Sequence, residues 1–359
     1  MDPRIRTHAE VIVSHATEIE RGDNVIVSGT PESEDLVVAI AELCGKRGAT
    51  TVTRLASYRA QRAYKRAIDQ ADIVEDEMTR AQFEAADVLI LIRAPGNVFE
   101  QSDVPTEVTQ RKAQADAAVR EAYLDTRWVL TQYPTKASAQ QAEMATAAYE
   151  EFVWNAVNRD WEAQRERQEK VAEVLEVGET VRIRAGEETD LTMSIAGNHA
   201  LNDHGKNNLP GGEVATVPVP DSVEGRVRFD FPVLVHDREV EGAWLEFEGG
   251  DVVAHGAAKN AAALASLLET DDGARRVGEL GIGMNRGIDC FTGNMLFDEK
   301  MGGTVHLAVG HALAECVGAE IEYNDSVVHT DMLVDMREDS LIKVDGQVVQ
   351  RDGNFRFEN

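Results

Sequence analysis

Two kinds of hydrophobic spacing divide the chain. In the first half, short apolar runs alternate with segments whose apolar residues recur every three or four positions. NVIVSG (24–29), TTVTRL (50–55), DVLILIRAP (87–95) and RWVLTQYP (127–134) read as strands. Helices are expected between them: one ending near Glu20, one opening at PESEDLVVAIAELCGKRGA with acidic residues in its first turn, helical segments as far as Ala86, and another after Pro105. This alternation predicts an open, largely parallel α/β sheet. Two polar helices from about Ser138 to Glu173 then lead away from it. From about Glu179 the strands are shorter and are punctuated by turn chemistry at AGEETD, EGGD, VDGQ and RDGN, with one amphipathic helix in AAKNAAALASLLET. The expected architecture is an α/β domain over residues 1–175 followed by an α+β domain over 176–359.

The strand periodicity also isolates the candidate chemistry. In SVVHTDMLVD, Val328, Thr330, Met332 and Val334 alternate with His329 and Asp331, so imidazole and carboxylate share one strand face about 7 Å apart at their bases. In TVHLAVG, His306 stands opposite an apolar face of Val305, Leu307 and Val309. Glu213 follows a Pro-Gly-Gly turn, Glu279 interrupts the apolar run VGELGIGMN, and Asp298 and Glu299 precede a glycine turn. Taken singly, each is a turn carboxylate or a hydrogen-bonded histidine. Together they read as a carboxylate-rich metal site. Several carboxylates within a few ångströms need compensating positive charge, which two divalent cations supply. The mixed imidazole and carboxylate donors suit zinc, cobalt or manganese better than calcium.

Composition narrows the context. No stretch is apolar for long enough to cross a membrane, and MDPRIRTHAE lacks the apolar core of a secretion signal, so the cytosol is expected. Three scattered cysteines offer neither a disulfide framework nor a thiolate metal site. The net charge of −28, spread along the whole chain, repels nucleic acid and anionic lipid and suits a halophilic cytosol.

Competing motifs are weaker. GIGMNRG has the wrong glycine spacing for a dinucleotide loop, and NVIVSGTPESED lacks the lysine of a phosphate loop. No G-x-S-x-G elbow marks a serine hydrolase.

The segments NLPGGEV, GELGIGMN, LFDEKMGGTVHLAVG and NDSVVHTDMLVD, in that order, give the chain a close resemblance to the aminopeptidase T and aminopeptidase S group of thermophilic-type metalloaminopeptidases. The resemblance implies a two-domain, homodimeric, dinuclear exopeptidase acting on peptides with a free amino terminus. The first domain would then serve as a cleft wall or dimer surface. It implies Glu213, His306, His329 and Asp331 as metal ligands, Glu279 as the carboxylate bridging both ions, and Glu299 as a further ligand. Glu213 and Glu279 would share in catalysis. One departure stands out: the family's tyrosine seven residues after the motif histidine is here Leu313. Loss of such an oxyanion donor typically costs about 2.7–4 kcal/mol in the barrier. His311 is the expected substitute and Tyr323 a more remote one. This leaves a catalytically weakened metal-binding homologue as one alternative, and a dinuclear amidohydrolase of small metabolites as another.

Overall fold

The computed structural model describes residues 1–235 and 238–358. They divide into two compact units, 1–159 with 205–211, and 160–204 with 212–359.

The first unit holds the expected parallel sheet. Strands β1 (Asn24–Gly29), β2 (Thr50–Leu55), β3 (Val88–Arg93) and β4 (Arg127–Gln132) lie in the order β2-β1-β3-β4, all parallel, and the short strand Asn208–Leu209 returns to pair with β4. The apolar runs of β1 and β3 are almost wholly buried, as parallel strands covered by helices must be. The helix Glu34–Arg47 follows β1, with Glu34 and Asp35 against its positive end, Lys46 and Arg47 against its negative end, and Gly48 closing it in the left-handed conformation.

The passage between the units contains three helices where two polar ones were expected: Lys136–Gln141, Thr146–Val157 and Trp161–Val177. The middle one is not polar, because it buries Tyr149, Phe152, Val153 and Trp154. The last belongs to the second unit, ahead of the boundary expected at 175/176, because Val171, Ala172 and Leu175 join that unit's hydrophobic core.

The second unit is built on two antiparallel sheets. The larger has eight strands, with Thr180–Ala185 and Thr189–Ser194 near its middle. The smaller has five, in the order His329–Asp335, Thr304–Gly310, Val277–Gly283, Glu213–Thr216 and Leu201–Asp203. Alternation sorts the smaller sheet into two faces. Leu280, Ile282, Val305, Leu307, Val309, Met332 and Val334 enter one hydrophobic core together with Ile183, Leu191, Val227 and Leu245 of the larger sheet. Glu279, His306, His329 and Asp331 occupy the alternate positions, so each strand that buries the core also presents a titratable group on its other face.

Candidate metal centre

All five strands of the smaller sheet contribute to one cluster. Glu279 lies at its middle: one carboxylate oxygen is 3.2 Å from His306 Nε2 and the other 3.2 Å from His329 Nε2. Glu213 Oε2 is 3.5 Å from His306 Nε2, and Asp331 Oδ1 is 3.5 Å from His329 Nε2. The donor atoms fall into two groups of three, Glu213–Glu279–His306 and Glu279–His329–Asp331, each within 4.8 Å. Glu279 belongs to both.

Local backbone chemistry explains how these groups meet. A β-bulge between Val277 and Glu279 shifts the register against the His306 strand and re-aims the Glu279 side chain. Gly281 stands directly opposite His306, and a Cβ there would lie 2.0 Å from the imidazole Cε1, so only glycine lets the ring lie across the neighbouring strand. Gly212, at φ +119°, donates its N–H to Asp203 and accepts from Met284, and it has no room for a Cβ beside Asn285; this accounts for the Pro-Gly-Gly turn before Glu213. Buried Gln168, on the helix Trp161–Val177, donates to the backbone carbonyls of Asp203 and Glu213 and ties their strands together.

The histidines are oriented alike. His306 Nδ1 is 3.0 Å from the Glu299 carbonyl oxygen and His329 Nδ1 is 2.8 Å from that of His311. Each ring therefore donates at Nδ1 to a main-chain acceptor and turns Nε2 to the carboxylates, the arrangement that fixes a metal-binding imidazole. Glu213 Oε2 and Asp331 Oδ1 are buried and make no hydrogen bond among the described residues. Two orphaned carboxylate oxygens beside two pre-oriented imidazole nitrogens fit a divalent cation of the zinc, cobalt or manganese kind.

Electrostatics make the same point. Burial alone would lower the His306 ring, but its bond to Glu279 and the charges of Glu213, Glu279 and Asp331 raise it to about 10; His329, likewise opposed by burial, is raised to about 11 by Asp331 and Glu279. Burial pushes Glu213 up to about 8 against the pull of Lys300. Burial opposes ionisation of Glu279 as well, yet the two histidines hold it down at about 2. The cluster thus favours protons on its imidazoles and on Glu213, which balance part of its crowded negative charge.

Sequence reasoning missed a resident cation. Lys300, fully buried, reaches Glu213 Oε1 at 3.0 Å and Asp203 Oδ2 at 3.7 Å and also bonds the Glu299 carboxylate. Those carboxylates offset the cost of burying its ammonium and hold it well above the ordinary lysine range. The available signal was a lysine inside FDEKMGG, between two acidic residues and a fully buried strand.

Other expectations fare differently. Glu299, expected as a further ligand, lies in neither donor group, and its carboxylate is bonded by Lys300. Asp298 turns away to accept from the Thr292 N–H and hydroxyl, and burial pushes it up to about 7. The His311 ring, expected in catalysis, is engaged by the Tyr323 hydroxyl at 2.7 Å and lies 3.3 Å from Asp325; its contact with the cluster is through the backbone carbonyl that orients His329. Leu313 packs on a small apolar group of Val217, Ala312 and Cys316, to which Tyr323 also belongs.

One consequence is open to test. Gly281→Ala should push the His306 ring out of place, costing about 1–3 kcal/mol by overpacking. A lower melting temperature together with weakened metal binding is expected, and a fully stable variant with normal metal content would refute the packing argument.

Comparison with known proteins identifies the family. The family model described as thermophilic metalloprotease (M29) matches residues 1–355. Aminopeptidase T of Thermus aquaticus is 28% identical, the match covering 94% of this chain and 93% of the relative. Aminopeptidase 2 of Geobacillus stearothermophilus is 27% identical, over 98% and 97%. The solved structure of wild-type AmpT from Thermus thermophilus shares the fold with a TM-score of 0.86, at 24% identity and 99% coverage of both chains. With the family model spanning nearly the whole sequence, the chain belongs to the thermophilic metalloprotease (M29) family and is a metalloaminopeptidase.

Proposed function

We propose that the enzyme releases amino-terminal residues from peptides using two divalent ions, with Glu279 shared between them. The observation that carries this reading is the pair of three-donor groups meeting at one carboxylate. Bound there, the ions supply Lewis-acid polarisation of the scissile carbonyl and a water of lowered pKa.

The protein's own groups do the rest. His306 and His329, each fixed through Nδ1, hold their Nε2 atoms on either side of Glu279. Buried Glu213 and partly buried Asp331 complete the two donor groups, and their negative charge favours a cationic substrate α-amine over an acylated one. The His329 side chain is 33% exposed whereas that of His306 is 1% exposed, so substrate enters from the His329 side. We assign the proton transfer from water to the leaving nitrogen to Glu299. It lies outside both donor groups yet beside them, its main-chain carbonyl accepting from His306 Nδ1, and burial raises its carboxyl against the pull of Lys300.

Glu299→Gln is accordingly expected to lower kcat by about 10²–10⁴-fold with metal content unchanged; loss of an ion from this variant would make Glu299 a ligand instead. The substrate reading is tested by comparing leucine release from an unblocked peptide and its N-acetylated form, with and without a chelator. Chelator-sensitive release from the free peptide alone supports it, and equal cleavage of the acetylated peptide overturns it.

The same proposal includes a homodimer in a salt-rich cytosol. With a net charge of −28, the melting temperature should rise as KCl is raised to molar concentration, because salt screens self-repulsion. Indifference to KCl would remove the halophilic part.

A further inference from the structure

We propose that Lys300 makes the two ion positions unequal, so that the Glu213–Glu279–His306 position binds its ion more weakly and exchanges it more readily than the Glu279–His329–Asp331 position. This inference rests on the two-ion reading and goes beyond it.

The two donor groups have matching composition, each with two carboxylates and one imidazole, and they share Glu279. Their surroundings do not match. On one side, Glu213 Oε1 is already held by Lys300 Nζ at 3.0 Å, which leaves only Oε2 turned to His306. The lysine is fully buried and is further bound to Glu299 and, at 3.7 Å, to Asp203, so it can neither swing into solvent nor be screened by it. A cation arriving beside Glu213 therefore meets a ligand with one oxygen already held and its charge shared with a fixed ammonium. On the other side, no lysine or arginine pairs with Asp331 or His329 among the described residues, and Asp331 Oδ1 has no hydrogen-bond partner there. Lys300 thus acts as a positioning residue. It holds Glu213 by one oxygen and sets the order in which the site fills.

The test is a titration of cobalt(II) into metal-free protein, followed by visible absorption and by calorimetry. Wild-type protein should bind two ions in separate steps differing at least tenfold in affinity. Glu213→Gln should abolish the weaker step and keep the stronger one, and Asp331→Asn should weaken the stronger step. Lys300→Met should strengthen the weaker step and merge the two, while Lys300→Arg, which keeps the charge, should leave them apart. If Lys300→Met fails to fold, the Glu213→Gln and Asp331→Asn pair still decides the assignment. Two ions of equal affinity, or loss of the stronger step in Glu213→Gln, would overturn this inference and leave the two-ion reading standing. Binding of a single ion by the wild type would overturn both.

Discussion

Glu279→Gln is expected to cost the enzyme both metal ions and at least about 10²–10³-fold in turnover, the scale on which a principal electrostatic stabiliser acts. The substitution keeps the shape of the side chain and removes its charge. Among the described residues Glu279 is the one carboxylate paired with both imidazoles, and its side chain is 7% exposed, so solvent does not replace what it supplies. Two charged rings would be left short of a counter-ion in a buried site, a loss of about 3–5 kcal/mol on the scale of breaking a buried ion pair. Metal analysis, thermal melting and peptide hydrolysis on the one variant would check all three effects. Retention of both ions with activity within tenfold of wild type would contradict the shared role of Glu279.

A second large effect concerns pH. The metal-free protein should lose stability as pH rises from about 5 to about 9, and added metal should abolish the loss. The sign follows from three groups. His306 and His329, ordinarily at 6.5, are raised to about 10 and about 11 in the fold, so their contribution is complete below 6.5 and disappears as pH climbs toward those values. Glu213, ordinarily at 4.5, is raised to about 8, so ionising it in place also costs stability over that interval. Glu279 acts oppositely, being held at about 2, but its contribution is lost only as pH falls below 4.5. Metal takes the place of the site's protons, and loading should therefore release protons and bind more tightly at higher pH. Melting temperatures across this range, with and without zinc, test the argument. A metal-free protein that gains stability toward pH 9 would refute it.

The fold was legible where periodicity was simple. The buried runs of β1 and β3 and the alternation around His306 and His329 each predicted their element and its covered face. The helix Thr146–Val157 was misread as polar because its aromatic residues are interleaved with alanine and glutamate. At the site, the candidate donors were readable one strand at a time, since a side chain's face follows from alternation alone. What joins the strands was not readable. The bulge before Glu279, the void over Gly281 that admits the His306 ring, and the Gln168 bonds to Asp203 and Glu213 all depend on pairings between segments far apart in sequence. Lys300 was missed for a related reason. All the compensating charge for the carboxylates was assigned to metal, whereas the fold supplies part of it itself.

The most direct test of the central claim is a crystal structure of the zinc-loaded enzyme with anomalous scattering measured at the zinc edge. Two peaks about 3.5–4 Å apart are predicted, one beside Glu213 and His306, the other beside His329 and Asp331, with Glu279 between them. A single peak, or two peaks that do not share Glu279, would contradict the account.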